Sequence, residues 1–373
     1  MDFSYTEEQT LLRNSVSKYL ADTYTFDKWR KFTRSDLGRN EAHWKQFAEL
    51  GLFAAALPEE HGGLGGGAVD SLVIMEEFGK ALVVEPYVPT VVIGGGVVKH
   101  GGSEAQKAEW LPRIAGGETM MAFAFAEPKG RYNLADLTTT AKKSGSGYTI
   151  SGHKAVVIGA PWADTLVVTA RTAGGQRDRN GIGVFLVDKK AKGVTVRDYP
   201  TVDSLRASEV TFENAQATLV GDAENGLPLI EKVVDEAIAA SCAEASGAMK
   251  VLVDTTVEYS KTRKQFGVPI GKFQALQHRM VDMFVQYEQS VSITLMVTLK
   301  LGESDAERAK AASAAKVTIG KAGRFVGQQA VQIHGGIGMT DELNVGHYFK
   351  RLTMLDTLFG SIDHHLKRYA ALG

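Results

Sequence analysis

The chain has 373 residues, 44% of them hydrophobic and 23% charged, enough apolar material for two or three cores rather than one. A net charge of -1 with both signs interspersed gives no basis for binding nucleic acid or an anionic membrane, and no apolar run reaches the roughly 18 residues of a membrane span. A single cysteine, Cys242, excludes an internal disulfide, and the acidic start lacks the basic and apolar regions of a signal peptide, so the cytoplasm is the expected location.

Thr6 followed by Gln9 is a capping-box pattern, and Leu11, Leu12, Val16, Tyr19 and Leu20 share one helical stripe, which predicts an amphipathic helix. Helical patterns around Trp44, Phe47 and Leu50, from Leu72 to Leu82 and from Ala105 to Ile114 extend this into a helical domain over residues 1–118. The glycine cluster from Gly62 to Gly67 has no strand before it and no Lys-Ser/Thr after it, so it reads as an interhelical loop rather than a phosphate cradle. From Met121 to Phe212 the texture changes to seven short runs rich in Val, Thr, Ile and Phe, separated by turn-formers. Strands without intervening helices predict a small antiparallel barrel or sandwich over 119–224. Helical periodicity then returns. Long helices from Pro228 to Lys261, from Phe273 to Leu301 and from the capping pattern at Ser304 to about Gly335, with a shorter one from Val345, predict an up-down four-helix bundle over 225–373.

Two stretches of the bundle carry chemistry. Tyr259-Ser-Lys-Thr-Arg-Lys-Gln-Phe-Gly267, followed by Gln274, sets a guanidinium at Arg263 and an aromatic ring at Phe266 beside a helix end. Gln332-Ile-His-Gly-Gly336 ends a helix on two glycines, where a ligand can approach the backbone closely. A glycine-capped helix end beside an exposed arginine is the plainer alternative. The histidines His334, His364 and His365 read as core or surface residues, because adjacent histidines point apart on a helix and no carboxylate stands at ligand spacing.

These motifs, the closing run Arg351-Leu-Thr-Met-Leu-Asp-Thr-Leu-Phe-Gly-Ser361 and the order helix, barrel, helix resemble the acyl-CoA dehydrogenase family over the whole chain. The resemblance implies a mainly α fold with a β domain, an acyl-CoA substrate, FAD as cofactor and electron-transfer flavoprotein as acceptor. It also implies that Arg263, Phe266 and Gln274 meet the FAD pyrophosphate side, and that Gln332, Gly335 and Gly336 form the adenosine-side turn, both lent across a dimer to the neighbour's flavin. The family's two positions for its catalytic glutamate hold Phe359 and Ala237. Asp235 and Glu236 adjoin the second, but one residue turns a helix by about 100 degrees, so they read as a solvent-facing helix start, with Glu236 the remaining carboxylate candidate.

On the flavin-ring side the family carries a threonine before Glu-Pro, then Gly-Ser-Asp, a tryptophan and a second threonine. This chain has Ala126 before Glu127-Pro128, then Gly130-Arg-Tyr-Asn133, Val156 and Ile158. A lost base and lost ring contacts beside a retained clamp imply the small subunit of an α2β2 heteromer completed by a Glu-bearing partner, with a dicarboxylyl-CoA as the implied substrate. A self-sufficient homomer with a relocated base and a flavin monooxygenase of the same fold remain open readings.

Overall fold

The computed structural model describes residues 4–373. Among the described residues six α-helices come first: α1 (Glu7–Thr23), α2 (Phe26–Thr33), α3 (Glu41–Glu49), α4 (Ala68–Ala81), α5 (Gly95–Gly101), which continues a π-helix at Val88–Gly94, and α6 (Glu104–Ala115). Seven strands follow: β1 (Met121–Ala124), β2 (Thr140–Ser144), β3 (Gly147–Ile158), β4 (Thr165–Arg171), β5 (Ile182–Asp188), β6 (Val194–Pro200) and β7 (Arg206–Val220). The chain closes with α7 (Leu227–Thr262), the short hairpin strands β8 (Lys264–Gln265) and β9 (Val268–Pro269), then α8 (Gln274–Leu299), α9 (Asp305–His334), α10 (Val345–Thr357) and α11 (Ile362–Ala371). Local chemistry explains the starts. Thr6 and Gln9 close the reciprocal capping box of α1, and Ser304 caps α9 by accepting from the Glu307 amide. The shorter helix at the C-terminus is divided into α10 and α11 by the turn around Phe359 and Gly360, both at positive φ.

By contacts the chain forms two compact units. One contains the chain up to Lys31, Ala68–Val83 and Ile238–Gly373; the other contains Phe32–Gly67 and Val84–Ala237. In the first, α4 and α7 cross where side chains are missing: a Cβ on Gly79 would lie 1.9 Å from the Glu244 carbonyl oxygen, and one on Gly247 would lie 2.0 Å from that of Glu76. The crossing is pinned by Arg351, whose Nε and Nη2 donate to the Glu244 carboxylate at 2.5 and 2.9 Å, and by the Tyr348 hydroxyl, which donates to the Lys80 carbonyl.

In the second unit the sheet closes on itself, since β4 pairs with β2 and β5, β2 with β3, β3 with β7 and β7 with β5. Strand β1 adds to β4 and β6 to β7. The barrel is not the wholly antiparallel one that the run of short strands predicts: β1 and β2 each pair with β4 in parallel, and the chain between them supplies the crossover that a parallel pair needs. Ile150, Leu166, Val168, Phe185, Val187 and Phe212 fill its core. All seven residues of β4 are buried, which is why its centre, Leu166, Val167 and Val168, reads as an unbroken apolar run rather than an alternation. The glycine cluster is the loop its context predicts: it joins a 3-10 turn at Glu59–His61 to α4, and a Cβ on Gly63 would collide with the Leu57 carbonyl.

Candidate functional site

The helix ends carrying the two motifs meet in the first unit. Tyr259, one turn before the end of α7, stacks on His334 at the end of α9 with ring centroids 4.3 Å apart, and its hydroxyl reaches the His334 carbonyl at 3.4 Å. Arg279 of α8 ties in through Gln329 of α9 at 3.0 Å. These links place Arg263, just beyond α7, and the Gln332–Gly336 turn at one end of the bundle. The β8–β9 hairpin, which follows Arg263 in the chain, turns through Phe266 and Gly267, at φ 53° and 81°. Phe266 is 91% exposed, and Arg263, Gln274, Gln332, Gly335 and Gly336 are exposed as well. His334 is buried, as its sequence context suggests, and donates from Nδ1 to the Ala330 carbonyl at 2.8 Å.

The positions proposed for a base are empty of one. Phe359 is half-buried at φ 59°, and Ala237 is buried. The reading of Asp235 and Glu236 as solvent-facing is corrected by the structure. Asp235 is 0% exposed, and Glu236 is nearly covered and held by His100 of α5 at 2.8 Å. The physical reason is tertiary: α5 lies against this turn of α7, and Gly96 carries no side chain, so the Glu236 carboxylate fits about where a Cβ would reach it at 3.1 Å. Burial opposes ionisation of Glu236, but the His100 hydrogen bond and charge keep its pKa below the ordinary value.

On the barrel, Ala126 offers only its carbonyl, which accepts from the Ala155 amide at 2.9 Å. Val156 is the extra residue of a bulge in β3 and adopts φ 52°, an unusual conformation for a β-branched side chain, which turns it outward to 50% exposure. Neither Ala126, Val156 nor Ile158 carries a side-chain hydrogen-bonding group.

Profiles of the three acyl-CoA dehydrogenase domains match this chain: the N-terminal domain over residues 6–118, the middle domain over 122–215 and the C-terminal domain over 224–371. Acyl-CoA dehydrogenase FadE12 of Mycobacterium tuberculosis is 31% identical over 356 residues, covering 92% of this chain and 90% of its own. This chain belongs to the acyl-CoA dehydrogenase family. The probable acyl-CoA dehydrogenase YngJ of Bacillus subtilis is 28% identical, with 95% of each chain covered. Among solved structures, a variant of the Tcur3481-Tcur3483 steroid ACAD superposes with a TM-score of 0.89 at 29% identity, covering 98% of this chain and 97% of that one.

FAD is the family's cofactor, and the two halves of its site fare differently here. The bundle side fits it. The Arg263 guanidinium takes no partner among the described residues, and Gly335 needs its φ of 65°. Gly336 has no positive φ, and a Cβ there would meet nothing within 4 Å. The missing side chain is therefore not demanded by the chain's own packing and leaves room for a group from outside. On the ring side, Ala126, Val156 and Ile158, the positions that the resemblance implies, carry hydrocarbon and offer no side-chain donor.

One further feature of the barrel joins the Glu-Pro stretch to a residue outside any motif. Lys154 of β3 is completely buried and donates to Glu127 Oε1 at 2.8 Å, to the Phe125 carbonyl at 3.2 Å and to Thr169 Oγ1 at 3.3 Å. Glu127 also accepts from the Thr138 and Thr139 amides and the Thr138 hydroxyl. Burial opposes both charges. The ammonium and the Thr138 hydrogen bonds nevertheless hold Glu127 down to about 2, and burial brings Lys154 down to about 8, so both stay ionised at neutral pH. The available signal was a lysine directly before the apolar run 155–158 of β3.

Proposed function

We propose that this chain is the small, base-less subunit of a heteromeric FAD-dependent acyl-CoA dehydrogenase, lending the pyrophosphate and adenosine half-site to a Glu-bearing partner in an α2β2 assembly. The observation that carries the reading is the contrast between the two halves. Arg263, Gln332 and the Gly335–Gly336 turn are exposed at one end of the bundle, whereas hydrocarbon stands at both base positions, Phe359 and Ala237, and at the ring-side positions Ala126, Val156 and Ile158. In desaturation of an acyl thioester, a carboxylate in this chain would have to take the α proton, and Glu236 is already engaged by His100. Bound FAD supplies the hydride acceptor. This chain's part is then to grip phosphate through Arg263, to pack Phe266 against the cofactor and to leave backbone room at Gly336.

Two further observations support a covering partner. Val281, Phe284 and Val285 form an exposed apolar stripe on α8 with helical spacing, continued by Phe273 and Phe266. The steroid ACAD named above carries two designations, Tcur3481 and Tcur3483. The segments Ala243–Met249, Thr262–Val268, Phe325–Gln329 and His347–Thr353 resemble the small subunit of pimeloyl-CoA dehydrogenase, which makes a dicarboxylyl-CoA our proposed substrate, with electron-transfer flavoprotein taking the electrons.

Expressed alone, the chain should hold little FAD, and with its partner the complex should hold about one FAD per pair, because each pair contains one complete site. Flavin absorbance against protein concentration measures this, and full, tight occupancy of the isolated chain would overturn the reading. Phe359→Glu in the isolated chain should not create acyl-CoA-dependent flavin bleaching, since a base contributes only where the reacting atoms are aligned. Bleaching comparable with a working dehydrogenase would show that the ring side is functional after all.

A further inference from the structure

The turn that carries Phe359 is fastened by groups that no part of the FAD or acyl-CoA chemistry uses. Lys316 of α9 is 2% exposed, and its ammonium donates to three carbonyls where α10 ends: Leu355 at 2.5 Å, Asp356 at 3.2 Å and Leu358 at 2.7 Å. These belong to the carbonyls that a helix end leaves without backbone partners. From the other side, His365 of α11, also buried, reaches the Phe359 carbonyl from Nε2 at 3.0 Å. A carbonyl only accepts, so Nε2 carries the hydrogen, and Nδ1 accepts from the Ser313 hydroxyl at 3.3 Å. Gly360, at φ 124°, lets α11 close over the turn, for a Cβ there would lie 2.5 Å from His365 Nε2. Phe359 sits between these ties in the left-handed region, which a bulky residue keeps only where its surroundings over-determine it.

We propose that Lys316 and His365 are positioning residues that lock the Phe359–Gly360 turn, making the Phe359 ring a fixed blocking group rather than a mobile side chain. The lock itself follows from the geometry. Its consequence, that a fixed ring denies acyl-CoA the base position of this chain and reserves chemistry for the partner, rests on the small-subunit reading. Burying an ammonium against three carbonyls is a costly way to hold a turn whose side chain is hydrocarbon, which makes sense if the position of that side chain matters.

Thiol labelling tests the lock on the chain as it stands. The native Cys242 is buried and its thiol is pushed up to about 12, so it stays silent, and Phe359→Cys becomes a reporter. Met339→Cys, at a side chain 72% exposed in the same unit, serves as control. The Phe359→Cys reporter should label more slowly than the control, and adding Lys316→Met or His365→Leu should speed it about tenfold by raising the open population of the turn, with the control rate unchanged. Lys316→Arg, which keeps a charged donor, should restore part of the protection. General loosening would move both reporters together. Labelling at position 359 as fast as at the control in the unmodified background, or an unchanged ratio in either latch variant that folds, would overturn the proposal. Flavin bleaching by the isolated chain would sink the small-subunit reading instead and leave the lock standing, so the two failures are distinguishable.

Discussion

Lys154→Met should destabilise the fold by about 3–5 kcal/mol, because it leaves the Glu127 carboxylate buried without its counter-charge. The side chains of Lys154 and Glu127 are 0% and 4% exposed, so water cannot make up the loss, and only the threonine donors remain. The same pair sets a pH window. Glu127 is held below its ordinary 4.5, at about 2, and a carboxylate lowered in the folded state stabilises the fold above its unfolded value. That contribution is complete above about 4.5 and is lost as the pH falls towards about 2. Urea unfolding followed by circular dichroism at pH 7 and pH 3 measures both effects. The native chain should lose stability between the two, and Lys154→Met should lose much less, because its carboxyl no longer has a low pKa to give up. Glu127→Gln combined with Lys154→Met should cost less than the sum of the single changes. A Lys154→Met loss under about 1 kcal/mol, within the range of ordinary surface substitutions, would mean that the pair does not hold the barrel together.

Arg263→Ala should weaken FAD binding to the proposed heteromer roughly ten- to a hundred-fold, since hydrogen bonds to a charged group contribute about 1.5 to 3 kcal/mol. The guanidinium is exposed and has no partner among the described residues, so its removal disturbs little else, and the loss reads as the clamp's own contribution. Arg263→Lys should recover part of it, because an ammonium keeps the charge but cannot supply two parallel donors. Excess FAD should restore activity, given that the residue is remote from proton abstraction, and gel filtration should show the assembly intact. Unchanged FAD affinity in an intact heteromer would reduce the clamp to structural support.

Much of the architecture was legible because it is written in local chemistry. Thr6 with Gln9 and the spacing of apolar residues in the long helices act within a turn or two and appear in the structure where the pattern puts them, whereas at Ser304 only half of the box forms, because the Glu307 carboxylate meets Lys300 instead. The barrel strands were legible for the same reason, as short β-branched runs between turns. What could not be seen was how distant segments meet. The parallel pairing of β1 with β4 leaves no mark on either strand, because pairing direction depends on the order in which the closed sheet is threaded.

The site divides along the same line. Residue identity alone showed that Phe359 and Ala237 cannot remove a proton and that Ala126, Val156 and Ile158 offer no side-chain hydrogen bonds, since a hydrocarbon has no such group in any fold. The tertiary structure decided everything that depends on neighbours. It buried Asp235 and gave Glu236 to His100 by laying α5 against α7. It set Lys154 on Glu127 across the barrel and brought the Arg263 and Gly335 motifs together through the stack of Tyr259 on His334. It also placed Lys316 under the end of α10. Burial and pairing are properties of contacts between residues far apart in the chain, so a sequence read one segment at a time can name the groups but not their partners.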